Sequence, residues 1–126
     1  MEDYVTYEQA VLLKELGFDW KCYTFYHWDD WCGLSHSGVS ENHNMFEKCI
    51  SAPTLAQAQK WLMNEKGIAI GIIPSYDIQD DGTYHWKYWY KIYSSVGKLL
   101  YTEMAEVYEH ALECAISDAL DLLKFN

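Results

Sequence analysis

The run Tyr84-His85-Trp86-Lys87-Tyr88-Trp89-Tyr90-Lys91-Ile92-Tyr93 restricts the fold before anything else does. Aromatic residues favour a pleated surface, and successive side chains of a strand point to opposite faces. On that reading Tyr84, Trp86, Tyr88, Tyr90 and Ile92 share one face, and His85, Lys87, Trp89, Lys91 and Tyr93 share the other. Upstream, Ile68, Ile70 and Ile72 alternate with Ala69, Gly71 and Ile73, which predicts a second strand over 68–76. Asp81-Gly82 between the two runs is a hairpin turn signal, so the two strands pair antiparallel. Pro74 lacks an amide donor and places the end of the first strand at an edge or a bulge. Gly97 allows another turn, with a short further strand over Leu99–Tyr101.

Three helices frame these strands. Thr6 and Gln9 have capping-box spacing and Val5 sits at the staple position, so the first helix spans Tyr7 to Leu16 and stops at Gly17. Phe18 then supplies the apolar contact that follows such a stop. Pro53 and Thr54 both suit the start of a second helix, whose apolar stripe is Leu55, Ala58, Leu62 and Met63 and whose stop is Gly67. The last helix runs to about Lys124 along Tyr108, Leu112, Ala115, Ile116, Ala119, Leu120 and Leu123, with its start between Thr102 and Val107. The aromatic run Trp20–Trp28 reads as a strand, Cys32–Ser37 as a short one, and Ser35–Asn44 as loop. The order is α-β-(β)-α-β-β-(β)-α. That predicts an α+β fold in one domain, 1–126, with an antiparallel sheet of three to five strands and helices packed on one face. Three helices are too few to cover both faces, so the other should be partly open and aromatic.

Charge narrows the partners. Nine Lys and Arg stand against nineteen Asp and Glu, a net charge of −10. Binding to a phosphate backbone needs cations to displace counterions, so general nucleic-acid binding is excluded, and an anionic membrane surface is disfavoured on the same ground. The N-terminus shows no basic and apolar leader pattern and no apolar run is long enough to span a bilayer, which predicts a cytoplasmic protein. In that setting Cys22, Cys32, Cys49 and Cys114 are expected as free thiols.

Most residues that bear chemistry also suit plainer roles. His27, Cys32, His36, His43 and Cys49 fall close together, and Cys32 and His36 have a ligand-like gap. No Cys-x-x-Cys pair accompanies them, so the reading is loop histidines and buried thiols, with no metal and no cofactor. No nucleophile elbow or oxyanion motif supports a Cys/His enzyme. Asp29-Asp30 and Asp77, Asp80 and Asp81 sit where turns favour Asp. Six acidic residues and one lysine between Glu103 and Asn126 hold half the net charge, on what reads as a solvated helix face. The aromatic strand is different, because Trp89 and Tyr93 lie among Lys87, Lys91 and His85. Rings beside cations suit either a stacked ligand or a protein hot spot.

Three blocks carry a resemblance. They are Thr6-Tyr7-Glu8 with Leu13-Lys14-Glu15 and Gly17-Phe18-Asp19, then Ser51-Ala52-Pro53-Thr54 with Ala58-Gln59-Lys60-Trp61-Leu62 and Gly67-Ile68, then Tyr108-Glu109-His110-Ala111-Leu112-Glu113 with Ala119-Leu120. Together they resemble a family of small, functionally uncharacterised proteins of gut Bacteroidetes phages and prophages. The segment Asp29–Lys48 does not match. The blocks are caps and helix stripes, so the resemblance brings no catalytic residue. It implies a phage-type accessory protein acting in the bacterial cytoplasm. The expected function is therefore non-enzymatic: capture of a host protein or of a small nucleotide-like signalling ligand, in the manner of a counter-defence inhibitor. A Cys/His enzyme and a structural phage component are the alternatives. The contact residues expected are Trp86, Lys87, Trp89, Lys91 and Tyr93, with Tyr26 and Trp28 from an adjoining strand, and the apolar excess also suits a homodimer.

Overall fold

Two capped helices anchor the chain. In this computed structural model, which describes residues 3–124 with the backbone alone at 30–32, α1 spans Tyr7–Glu15 and opens on a complete capping box. Gln9 N donates to Thr6 Oγ1 and Thr6 N donates to Gln9 Oε1 at 2.9 Å. Phe18 N donates to the Leu13 carbonyl at 2.9 Å, closing the helix past Gly17. α2 spans Leu55–Lys66, capped by Thr54, whose Oγ1 accepts from Gln57 N, and stopped by Gly67 at φ 68°. Pro53 lies just before the cap. In its stripe Trp61 is buried against Phe18, with ring centroids 5.3 Å apart, whereas Met63 is exposed. Residues two apart lie about 200° round a helix, so with Trp61 inward Met63 faces solvent.

The strands divide between two antiparallel sheets rather than one. β1 (Cys22–His27) lies between β2 (Asp30–Glu41) and β3 (Cys49–Ser51), with a single 3₁₀ turn at His43–Met45. β4 (Ala69–Ile78), β5 (Tyr84–Tyr93) and β6 (Leu99–Ala105) form the second sheet in that order. Both sides of β1 are taken by its neighbours, so it cannot adjoin β5. The polar segment 35–44, expected as loop, is mostly β2, paired with β1 at Phe25↔Ser35, Thr24↔His36 and, past a register shift, Cys22↔Glu41. The α+β class and the antiparallel pairing stand as expected.

α3 (Tyr108–Lys124) joins the parts, packing on α1, α2 and all three strands of the second sheet. Its buried stripe is Ala111, Leu112, Ala115, Ile116, Ala119 and Leu120, while Tyr108 at its start is exposed. Gln9 fastens it to α1: its buried amide donates at 2.8 Å to both the Glu113 carbonyl and Ser117 Oγ. The buried hydrophobic residues form one cluster, from Val5 to Leu120, that draws on both sheets and all three helices. Among the described residues no helix is long and apolar enough to cross a membrane.

Candidate binding surface on the second sheet

The Asp81-Gly82 turn sets the register of everything around it. Gly82, at φ 85°, donates to the Gln79 carbonyl at 2.9 Å, and the ladder runs unbroken from Ile78↔Tyr84 to Ala69↔Tyr93. β6 adds Met104 beside Trp89 and Thr102 beside Lys91. The side chains fall on the two faces assigned by alternation.

The inner face is covered along only part of its length. Ile70, Tyr90 and Ile92 are buried beneath the helices, and the Tyr90 hydroxyl donates to Asp118 Oδ2 at 2.6 Å. Burial first, and the Asp118 bond second, hold the Tyr90 phenol far above the usual tyrosine range. Tyr88 meets Tyr108 edge-on at 5.8 Å. Beyond that point the hairpin leaves the helices. Trp86 is 53% exposed there, and Tyr76 contacts it at 5.3 Å and Tyr84 at 5.1 Å.

The outer face carries an apolar row across three strands: Ile73, Trp89 and Met104, all exposed, with Trp89 at 37%. Charges of both signs border it. Lys87 Nζ pairs with Asp77 Oδ2 at 3.0 Å and His85 Nε2 lies 3.6 Å from Glu106 Oε1. On the other side stand Lys91 and Thr102, which line a shallow depression with Ile73 and Trp89. Among the described residues Lys91 makes no ion pair. Tyr93 follows on the same face and is half-buried.

The expected contact residues therefore separate. Lys87, Trp89, Lys91 and Tyr93 share the outer face, and Trp86 belongs to the opposite one. Tyr26 is a correction. It is only 9% exposed, its hydroxyl donates to the Val5 carbonyl at 2.9 Å, and it sits in the first sheet as part of the core. Trp28 is exposed, but it follows β1 and does not adjoin β5; its carbonyl accepts from the Tyr7 hydroxyl at 2.6 Å. Sequence reasoning did not single out Ile73, Met104, Tyr76 or Tyr84. For Ile73 the signal was present, because a ladder centred on Asp81 places it opposite Trp89.

Of the remaining candidates, His43 and His36 pack against aromatic rings. His43 is buried, stacked on Phe25 at 4.6 Å, with its Nε2 2.9 Å from the Cys22 carbonyl. His36 meets the Tyr4 ring at 5.9 Å, and the Cys32 side chain lies outside the described residues. Among the described residues no three His, Cys, Asp or Glu side chains are grouped as metal ligands. Cys22, Cys49 and Cys114 are free thiols. Cys114 Sγ lies 3.5 Å from His110 Nε2, but burial, then Asp118 and Glu113, push this thiol up. An activated nucleophile needs the opposite direction.

Comparison with protein-family models, curated proteins and solved structures gives no match.

Proposed function

We propose that this chain is a non-enzymatic binding protein that takes a protein partner on the outer face of the β4-β5-β6 sheet. The observation that carries this reading is the exposed row Ile73–Trp89–Met104. Interface hot spots favour Trp, gather at the centre of a patch, and are ringed by polar groups that exclude water. Trp89 has that setting, between two apolar neighbours and inside a border of Lys87, His85, Lys91, Asp77, Glu106 and Thr102. Sites for small molecules are concave and enclose most of the ligand. An open three-stranded face suits a protein surface better than a nucleotide-like ligand. The resemblance of the helix-capping blocks to gut phage proteins supports an accessory role in a bacterial cytoplasm, blunting a host function.

The test compares immobilised wild type with Trp89→Ala in lysate of a gut Bacteroidetes host, alongside thermal shift against a nucleotide panel. The expected result is a protein retained by wild type and lost from Trp89→Ala at unchanged melting temperature, with no nucleotide shift. Equal retention by the two, no retention by either, or a nucleotide shift abolished by Trp89→Ala overturns the reading.

A further inference from the structure

Among the described residues β6 pairs with another strand on one side only, and Met104 N donates to the Glu103 side chain, Oε1, at 3.3 Å. Such an edge is a template for another strand unless proline, charge or a bulge blunts it. β4, the opposite edge, carries Pro74 and Asp77. β6 has a register shift opposite Ile92/Tyr93, which disrupts the Leu99–Leu100 end. From Tyr101 to Ala105 its ladder is regular, and the only charge is Glu103.

The two sides of that regular stretch differ in chemistry. Toward α3 lie Tyr101 and Glu103, with the Tyr101 hydroxyl 3.4 Å from Glu103 Oε2. The Tyr101 ring lies 6.2 Å from that of Tyr90, whose hydroxyl donates to Asp118 Oδ2, so the Asp118 carboxylate adjoins this strip beside Glu103. Toward the outer face lie Thr102 and Met104, the latter beside Trp89. A strand laid along β6 alternates its own side chains between these two strips.

We infer that β6 receives an extended partner segment as a fourth strand, with basic side chains toward Glu103, Asp118 and Tyr101 and apolar ones toward Met104 and Trp89. The inference rests on the protein-partner reading above and names the partner's chemistry. Main-chain bonds along the edge supply affinity, and the alternating strips supply selectivity. Charge chooses the occupant. A cationic segment meets a chain of net charge −10, and a flat ring beside carboxylates also attracts cations. A second copy instead brings another −10, with its own Glu103 near the same strip.

The probe is a fluorescein-labelled peptide of alternating lysine and valine, about ten residues long. Its binding to the full chain is read by anisotropy. Two controls accompany it: the same peptide with glutamate for lysine, and one N-methylated at alternate residues, made in both registers. The expected result is binding at least about tenfold tighter than the glutamate peptide and weakened by salt. Glu103→Lys, at an exposed position, is expected to keep its melting temperature and weaken binding by about tenfold. N-methylation in one register is expected to do the same. Equal binding of the lysine and glutamate peptides, or indifference to N-methylation in both registers, overturns the inference. So does a dimer whose formation blocks the peptide, which assigns the edge to a second copy. If capture depends on Trp89 but not on Glu103, the protein-partner reading stands and this inference falls. If it depends on neither, both fall.

Discussion

The Tyr90 hydroxyl donates to Asp118 Oδ2 at 2.6 Å, fastening the covered part of the second sheet to α3. Tyr90 is buried, whereas Trp86, four residues along the same face, is more than half exposed. One strand therefore serves as core at one end and as surface at the other.

Tyr90→Phe leaves the Asp118 carboxylate without this donor. The expected cost is about 1–3 kcal/mol, read by thermal or denaturant unfolding. The bond also couples stability to pH. The folded-state pKa of Tyr90 is raised above its unfolded value of about 10 by burial and by Asp118. Its contribution is fully present below about pH 10 and is lost as pH rises further. Calorimetry from neutral to alkaline pH should show the wild-type melting temperature falling above pH 10, and Tyr90→Phe falling less steeply.

Gln9→Ala tests the joint between α1 and α3. It removes both 2.8 Å bonds, to the Glu113 carbonyl and to Ser117 Oγ, and the return arm of the capping box. Buried partners left unpaired carry a desolvation cost, so the expected loss is about 2–3 kcal/mol by urea unfolding.

Gly67→Ala tests the end of α2. The residue sits at φ 68°, and an added Cβ meets Ser95 Cβ at 2.9 Å. Strain and crowding act together, so the expected destabilisation exceeds about 1 kcal/mol. Ala at Gly71, which has open space, is the comparison and should cost less.

Cys114 should alkylate slowly. Burial, then Asp118 and Glu113, raise its pKa, and only the thiolate attacks. Site-resolved mass spectrometry after iodoacetamide at pH 7 should show it reacting severalfold more slowly than a free cysteine.

These elements differ in how far the sequence disclosed them. Helix ends are set by neighbours in the chain, so Thr6, Gln9, Thr54, Gly17 and Gly67 announced them. The β4–β5 hairpin was equally plain, because a local turn fixes its register. Sheet membership depends on distant contacts. β3 is only three residues long and gives no periodic signal, yet its place beside β1 helps keep Tyr26 and Trp28 away from β5. The aromatic face was legible as an alternation, but where α3 stops covering it was not. That boundary is set by where Tyr108 meets Tyr88.

Trp86→Ala and Trp89→Ala share one expectation for stability. Both residues are exposed, so each should shift unfolding by less than about 1 kcal/mol. The central claim separates them: Trp89 is the centre of the gripping face, and Trp86 lies on the opposite one. The most direct measurement is the affinity of the captured partner for wild type and for Trp89→Ala by calorimetric titration. The account predicts a loss of about 2–4 kcal/mol, thirtyfold or more, with the fold intact. Equal affinity for the two proteins would contradict it.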